Sequence, residues 1–181
     1  METKELEANL KRLDQTVLSL GRSIMNIRNA VTQYMAQADQ LESRAQTMMA
    51  RAYSEEDEYA AAQWQSQASD CMNQASSFRM QAENLQSQAD GAVAELRGYR
   101  GEYQSYQSEG QTNLANLKLA ADQLTAVAGN RYGGEKIRQA LSETKKRLIY
   151  TQNLINGCQK RINWINQICG SDGDFTKVKV R

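Results

Sequence analysis

Apolar or small residues recur through the first fifty positions at alternating spacings of four and three: Leu6, Leu10, Leu13, Val17, Leu20, Ile24, Ile27, Val31, Tyr34, Ala38, Leu41, Ala45, Met48 and Ala52. A stripe with a mean period of 3.5 drifts off the face of a straight helix, so it stays buried only against a partner helix in a left-handed supercoil. No proline interrupts the chain anywhere. The spacing places Leu10, Val17, Ile24 and Val31 at position a of a heptad, and Leu6, Leu13, Leu20, Ile27 and Leu41 at position d. β-Branched residues at a with leucine at d also suit parallel dimers, so a homodimer stands beside intrachain packing.

Ser54 and the acids Glu55, Glu56, Asp57 and Glu58 follow, a cap-type residue and negative charge where the positive end of a new helix would lie. A tight connection is expected at Tyr53–Ser54. The second seam runs through Trp64, Ala68, Cys71, Ala75, Phe78, Ala82, Leu85, Ala89, Ala92, Leu96, Tyr99, Tyr103, Tyr106 and Gly110, then on through Leu117 and Leu124. Its alanines imply close helix approach and little buried area per turn. Gly91, Gly98, Gly101 and Gly110 weaken this stretch and make a kink or hinge near 98–110 plausible, but the heptad phase survives on both sides. One long helix is therefore the preferred reading. Gly129 to Gly134 forms the clearest turn, and a third seam follows at Ile137, Leu141, Thr144, Leu148, Thr151, Ile155, Cys158, Ile162, Ile165 and Cys169, widened by Leu154, Trp164 and Ile168.

Helices of about 3–53, 55–128 and 135–169 would measure roughly 75, 110 and 50 Å. The first and third together nearly match the second. An all-α, elongated antiparallel three-helix coiled coil follows, with the long second helix as a spine shared end to end by the other two. A four-helix bundle, broken near 98–110, is the alternative. Residues 1–170 read as one helical domain and 171–181 as a flexible basic tail, with Phe175, Val178 and Val180 spaced so that it could also add to a partner as an edge strand.

The net charge of +1 conceals a gradient: residues 1–53 carry +1, 54–128 carry −7 and 129–181 carry +7. Such complementarity predicts pairing between the second and third helices and argues against a nucleic-acid surface. The N-terminal dozen residues lack the continuous apolar core of a cleavable signal peptide, and no run approaches the roughly 20 apolar residues of a membrane helix. The expected location is cytoplasmic, or outside the cell by a route without a cleavable signal.

With no histidine in the chain, the commonest general base, metal ligand and neutral-pH switch are all missing. Cys71, Cys158 and Cys169 are odd in number and far apart, which suits small buried residues in a reducing compartment. No phosphate loop or metal spacing appears, so no cofactor, no metal and no enzymatic activity are expected. Six methionines, Met25, Met35, Met48, Met49, Met72 and Met80, read as gap-filling core. Tyr99, Tyr103 and Tyr106 form either a partner-binding patch or part of the seam, the seam being preferred. Lys145, Lys146, Arg147, Lys160 and Arg161 form either a solvated face or a contact for phosphate or anionic lipid.

A helical hairpin rich in Ala, Gln and Ser, joined near Tyr53, with Tyr53 and Asp57 at Tyr-x-x-x-Asp/Glu spacing, resembles the small helical proteins of Gram-positive type VII secretion loci. These are the Trp-x-Gly hairpin family and the helical targeting partners of its toxins. The resemblance covers residues 1–97 at most and implies an export signal at Tyr53 and Asp57. The chain departs from the family at Trp64, which is followed by Gln65 and Ser66 and lies within a predicted helix. The leading expectation is a non-enzymatic coiled-coil interaction protein, an adaptor, chaperone-like partner or spacer, binding another protein along a helical face. A type VII partner or substrate is one alternative. The other is a membrane-active protein that opens at the glycine region and inserts its Trp164 face.

Overall fold

The structure is a computed structural model that describes residues 3–129 and 134–170. It is an all-α helical bundle of three helices, α1 (Thr3–Ser54), α2 (Glu58–Ala128) and α3 (Glu135–Gly170). Every position of the three seams that falls in α1, α2 or α3 is buried or half-buried. α2 is one uninterrupted helix through 98–110, as the preserved heptad phase requires. The inner part of the turn after Gly129 and the tail 171–181, with its expected flexibility or strand addition, lie outside the described residues.

The α1–α2 connection differs from expectation. Ser54 closes α1, its hydroxyl donating to the Arg51 carbonyl at 3.0 Å, and Glu55, Glu56 and Asp57 make the link. Asp57 is the cap of α2: its carboxylate accepts from the Tyr59 N–H at 2.9 Å, and its carbonyl accepts the first helical bond, from Ala61, at 2.8 Å. Aspartate reaches an orphan donor of the first turn and adds a full negative charge at the positive helix end, two advantages a serine lacks together.

Two compact units are present. The first comprises residues 1–21 and 94–181, the second Arg22–Val93. In the second unit α1 and α2 alone form an antiparallel pair with a seam of small residues. Ala45, Met48, Ala68 and Cys71 form one buried cluster, flanked by Leu41, Met49 and Trp64. Tyr34 stacks on Phe78 at 5.7 Å, the Arg51 guanidinium lies 5.2 Å from the Trp64 ring, and Arg79 spans to Asp39 and Glu42 at 3.3 and 2.7 Å. Met35, Met72 and Met80 are exposed, Met80 at 61%. They sit off the seam of a two-helix pair, so the expectation of a core role fails for them and holds for Met48.

In the first unit all three helices meet. Here α1 and α3 do not divide the spine between them: α1 residues 3–21 lie against the same stretch of α2 that faces the second half of α3. The pairings Leu6–Gly110–Ile155 and Asp14–Tyr103–Arg161 set α1 antiparallel to α2 and parallel to α3. Length alone left this overlap undetermined, because end-to-end matching and overlapping arrangements bury the same stripes.

Candidate functional site

Two layers of polar side chains cross the three-helix section, each built with one residue from each helix. In the outer layer Asn113 donates to the Thr3 hydroxyl at 3.0 Å, and Thr3 and Thr151 hydroxyls lie 3.1 Å apart. Thr151 is completely buried at a seam position. In the inner layer one oxygen of Asp14 accepts from Arg161 Nε at 2.9 Å and from the Tyr103 hydroxyl. About ten residues, or 15 Å, separate the layers along each helix. A shift of any helix by one turn would strand these groups without partners at a cost of about 1–3 kcal/mol for each buried one, so the layers fix register and helix orientation.

The inner layer's chemistry is that of a lock. Burial first, then the hydrogen bond to Asp14 and its charge, raise the Tyr103 pKa far beyond its ordinary 10.0, so the hydroxyl stays a donor. Burial, reinforced by the Asp14 charge, pushes the Cys158 thiol up to about 11, which keeps it from forming the reactive thiolate. Arg161 feels burial pulling its pKa down, outweighed by Asp14 pulling it up, and its guanidinium lies 5.3 Å from the Trp164 ring. Trp164 is buried against Gly21, and its indole N–H has no hydrogen-bond partner. Beside the lock runs an open groove of about 530 Å³ whose lining includes Asn153, Lys160, Asn163 and Gln167.

A second groove, of about 560 Å³, opens where α1 begins. Thr3, Lys4 and Glu7 of α1, Asn113 and Leu117 of α2, and Lys146, Arg147 and Tyr150 of α3 line it. A hydrogen bond to Glu7 is the main cause of a raised Tyr150 pKa. The basic residues of α3 therefore divide into separate settings. Lys146 and Arg147 line the basic groove, Lys145 is exposed, Lys160 rims the other groove, and Arg161 is committed to Asp14. Some 14 residues, about 20 Å of helix, separate the two groups.

Of the tyrosines, Tyr103 is buried in the lock while Tyr99 and Tyr106 are half-buried beside it. Tyr99 donates to Glu95 at 3.2 Å, the main reason its pKa is raised. Tyr53 is 80% exposed in the last turn of α1, and Asp57 is engaged as the α2 cap. The expected pairing of α2 carboxylates with α3 cations is replaced by arginines of α2 reaching α3: Arg97 donates to the Cys169 carbonyl at 3.4 Å and Arg100 to Asn166 at 3.2 Å. Among the described residues the ion pair that α3 makes is with α1.

Comparison with protein-family models, with curated proteins and with solved structures finds no match. Among the described residues no helix is long and apolar enough to cross a membrane, and no group of three or more cysteines and carboxylates is placed to hold a metal ion. Sequence reasoning missed Asp14, Thr3 and Asn113, each a polar residue next to or near a seam of ordinary appearance. It also passed over Gly21, which did carry a signal: a glycine inside the strongest heptad run costs about 1 kcal/mol against alanine and asks for a close neighbour.

Proposed function

We propose that this chain is a non-enzymatic helical interaction module that binds another protein along a helical face. The observation that carries the reading is a seam left half-covered. All the buried residues of α3 lie at Thr151 or beyond, whereas Ile137, Leu141 and Leu148 continue the same 4,3 stripe only half-buried. Apolar surface arranged in helical register, on a chain whose register is fixed by two polar layers, suits recognition of a further helix. Affinity purification of the tagged full chain from its native host, with light scattering of the eluted complex, should yield one stoichiometric partner. Recovery of the bait alone, at its monomer mass, sinks the reading.

A second reading rests on Tyr53, a large aromatic held in solvent at the end of α1. We propose it as the recognition residue of a type VII-like export signal in a Gram-positive host. Tyr53→Ala should abolish appearance of the protein in the culture medium with unchanged circular dichroism. Because Asp57 caps α2, its role in export is tested by Asp57→Asn, which retains the cap. Undiminished export of both variants removes this reading.

A further inference from the structure

The three-helix section ends at the layer of Thr3, Asn113 and Thr151. Beyond it α2 runs on from Leu114 to Ala128 and returns as α3 from Glu135 to Tyr150, a two-helix hairpin that described α1 meets at its base, where Thr3, Lys4 and Glu7 line a groove with Leu117, Lys146, Arg147 and Tyr150. The seam does not stop there. On α2 the four-and-three spacing passes from Gly110 through Leu114, Leu117, Ala121 and Leu124, yet of these four only Ala121 is buried. Ile149 is 66% exposed and Leu119 60%. These hairpin stretches also hold six lysines and arginines against three acids, and Lys4, Lys146 and Arg147 gather at the groove where α1 begins.

Resting on the interaction reading above, we infer that the groove between Leu114–Ala128 and Glu135–Tyr150 takes an acidic amphipathic α-helix of a partner protein, which lies in the position α1 occupies further along the same seam.

Two features select this occupant. Continuity of the heptad means that the groove offers the holes α1 already fills lower down, so its natural knob is a helical residue at 3.5 spacing. Charge then chooses among helices. Where α1 meets α3 it presents carboxylates, Asp14 to Arg161 and Glu7 to Tyr150, and the stretch above is more basic than the stretch below. A second copy docking hairpin to hairpin would bring two net-positive surfaces together, which like-charge repulsion opposes. The length of α2 beyond Asn113, about 22 Å, matches a partner helix of about four turns.

The test uses the full chain and a dye-labelled peptide of about three heptads with leucine at a and d and glutamate at the flanking positions, beside a twin carrying lysine for glutamate. Fluorescence anisotropy should show the glutamate peptide binding at least about tenfold more tightly, a preference that shrinks as salt rises from about 0.05 to about 0.5 M. The double variant Lys146→Glu, Arg147→Glu, altered only at exposed positions, should invert the preference. Leu148→Asp should weaken both peptides, and hydrogen exchange should show peptide protection within 114–150. Equal binding of the two peptides, a preference untouched by charge reversal, or protection confined to 22–93 overturns the inference. So does sedimentation showing a dimer of the free chain that K146E/R147E dissolves, since a second copy would then be the occupant. A stoichiometric native partner combined with peptide failure rejects the groove alone, whereas absence of any partner rejects the interaction reading beneath it.

Discussion

Two kinds of glycine coexist in these helices, and they respond with opposite signs to the same substitution. A Cβ on Gly21 would stand 2.2 Å from Trp164 Cη2 and 3.1 Å from Ile168 Cδ1, and one on Gly110 would stand 2.9 Å from Ile155 Cγ1. At Gly98 it would meet nothing within 4 Å. Gly21→Ala should therefore overpack the first unit and cost about 1–3 kcal/mol. Gly98→Ala should instead gain about 0.5–1 kcal/mol by relieving the helix of a flexible residue. Denaturant unfolding of the two variants checks both signs, and stabilisation by Gly21→Ala would contradict the close approach. Sequence singled out the glycines of 98–110 as weak points within one long helix because weakness is local and readable, while the need for Gly21 comes from Trp164, over 140 residues away.

The lock also predicts a pH dependence. Tyr103 and Cys158 both have raised values when folded, so the folded state holds these protons more tightly than the unfolded chain. Their stabilisation is complete below the unfolded values, 9.0 for the thiol and 10.0 for the phenol, and is lost as pH rises through the folded ones. Stability should thus decline from pH 9 upward, with Cys158→Ala flattening the slope between 9 and about 11. Tyr103→Phe should flatten it above 10.0 and cost about 1 kcal/mol at neutral pH through the lost hydrogen bond to Asp14. Parallel declines in parent and variants would rule these groups out as the cause.

At the scale of the element, boundaries were harder to read than existence. All three helices were legible because periodicity accumulates evidence over dozens of residues, whereas the start of α2 turns on which of five adjacent polar residues supplies one hydrogen bond. The structure gives that bond to Asp57. Asp57→Ala should lower stability by about 1 kcal/mol, and Asp57→Asn should stay within a few tenths, since asparagine caps as well. Thermal melts followed by circular dichroism measure the difference, and equal melting of all three proteins would move the cap elsewhere. Ser54→Ala, at a residue bonded within α1, should change little.

For the whole molecule, the sequence foretold three helices and a thinner alanine seam, but not that α1 and α3 overlap on α2. Burial patterns are blind to that choice, because a residue buried by one neighbour and a residue buried by two read alike in a stripe. The polar layers decide it, and their members look ordinary until Asp14, Tyr103 and Arg161 are brought together.

Each unit's seam then sets its own resistance to opening. The first buries Leu6, Leu10, Val17, Leu96, Ile162, Ile165 and Trp164, and the second is dominated by Ala38, Ala45, Ala52, Ala68, Ala75 and Ala82. Replacing leucine by alanine at a seam position removes about three methylene equivalents, at about 0.8 kcal/mol each. A two-helix alanine seam should accordingly open more easily than a three-helix leucine seam. Native-state hydrogen exchange should find seam amides of 22–93 exchanging through openings of lower free energy than those of 6–21, 94–110 and 151–168. The hairpin arms 114–128 and 135–150, which meet α1 only at their base, should exchange through low-energy openings too, and should gain protection when the acidic peptide is added. Uniform protection along α2 would show that its continuity, rather than the area its seam buries, governs how the chain opens.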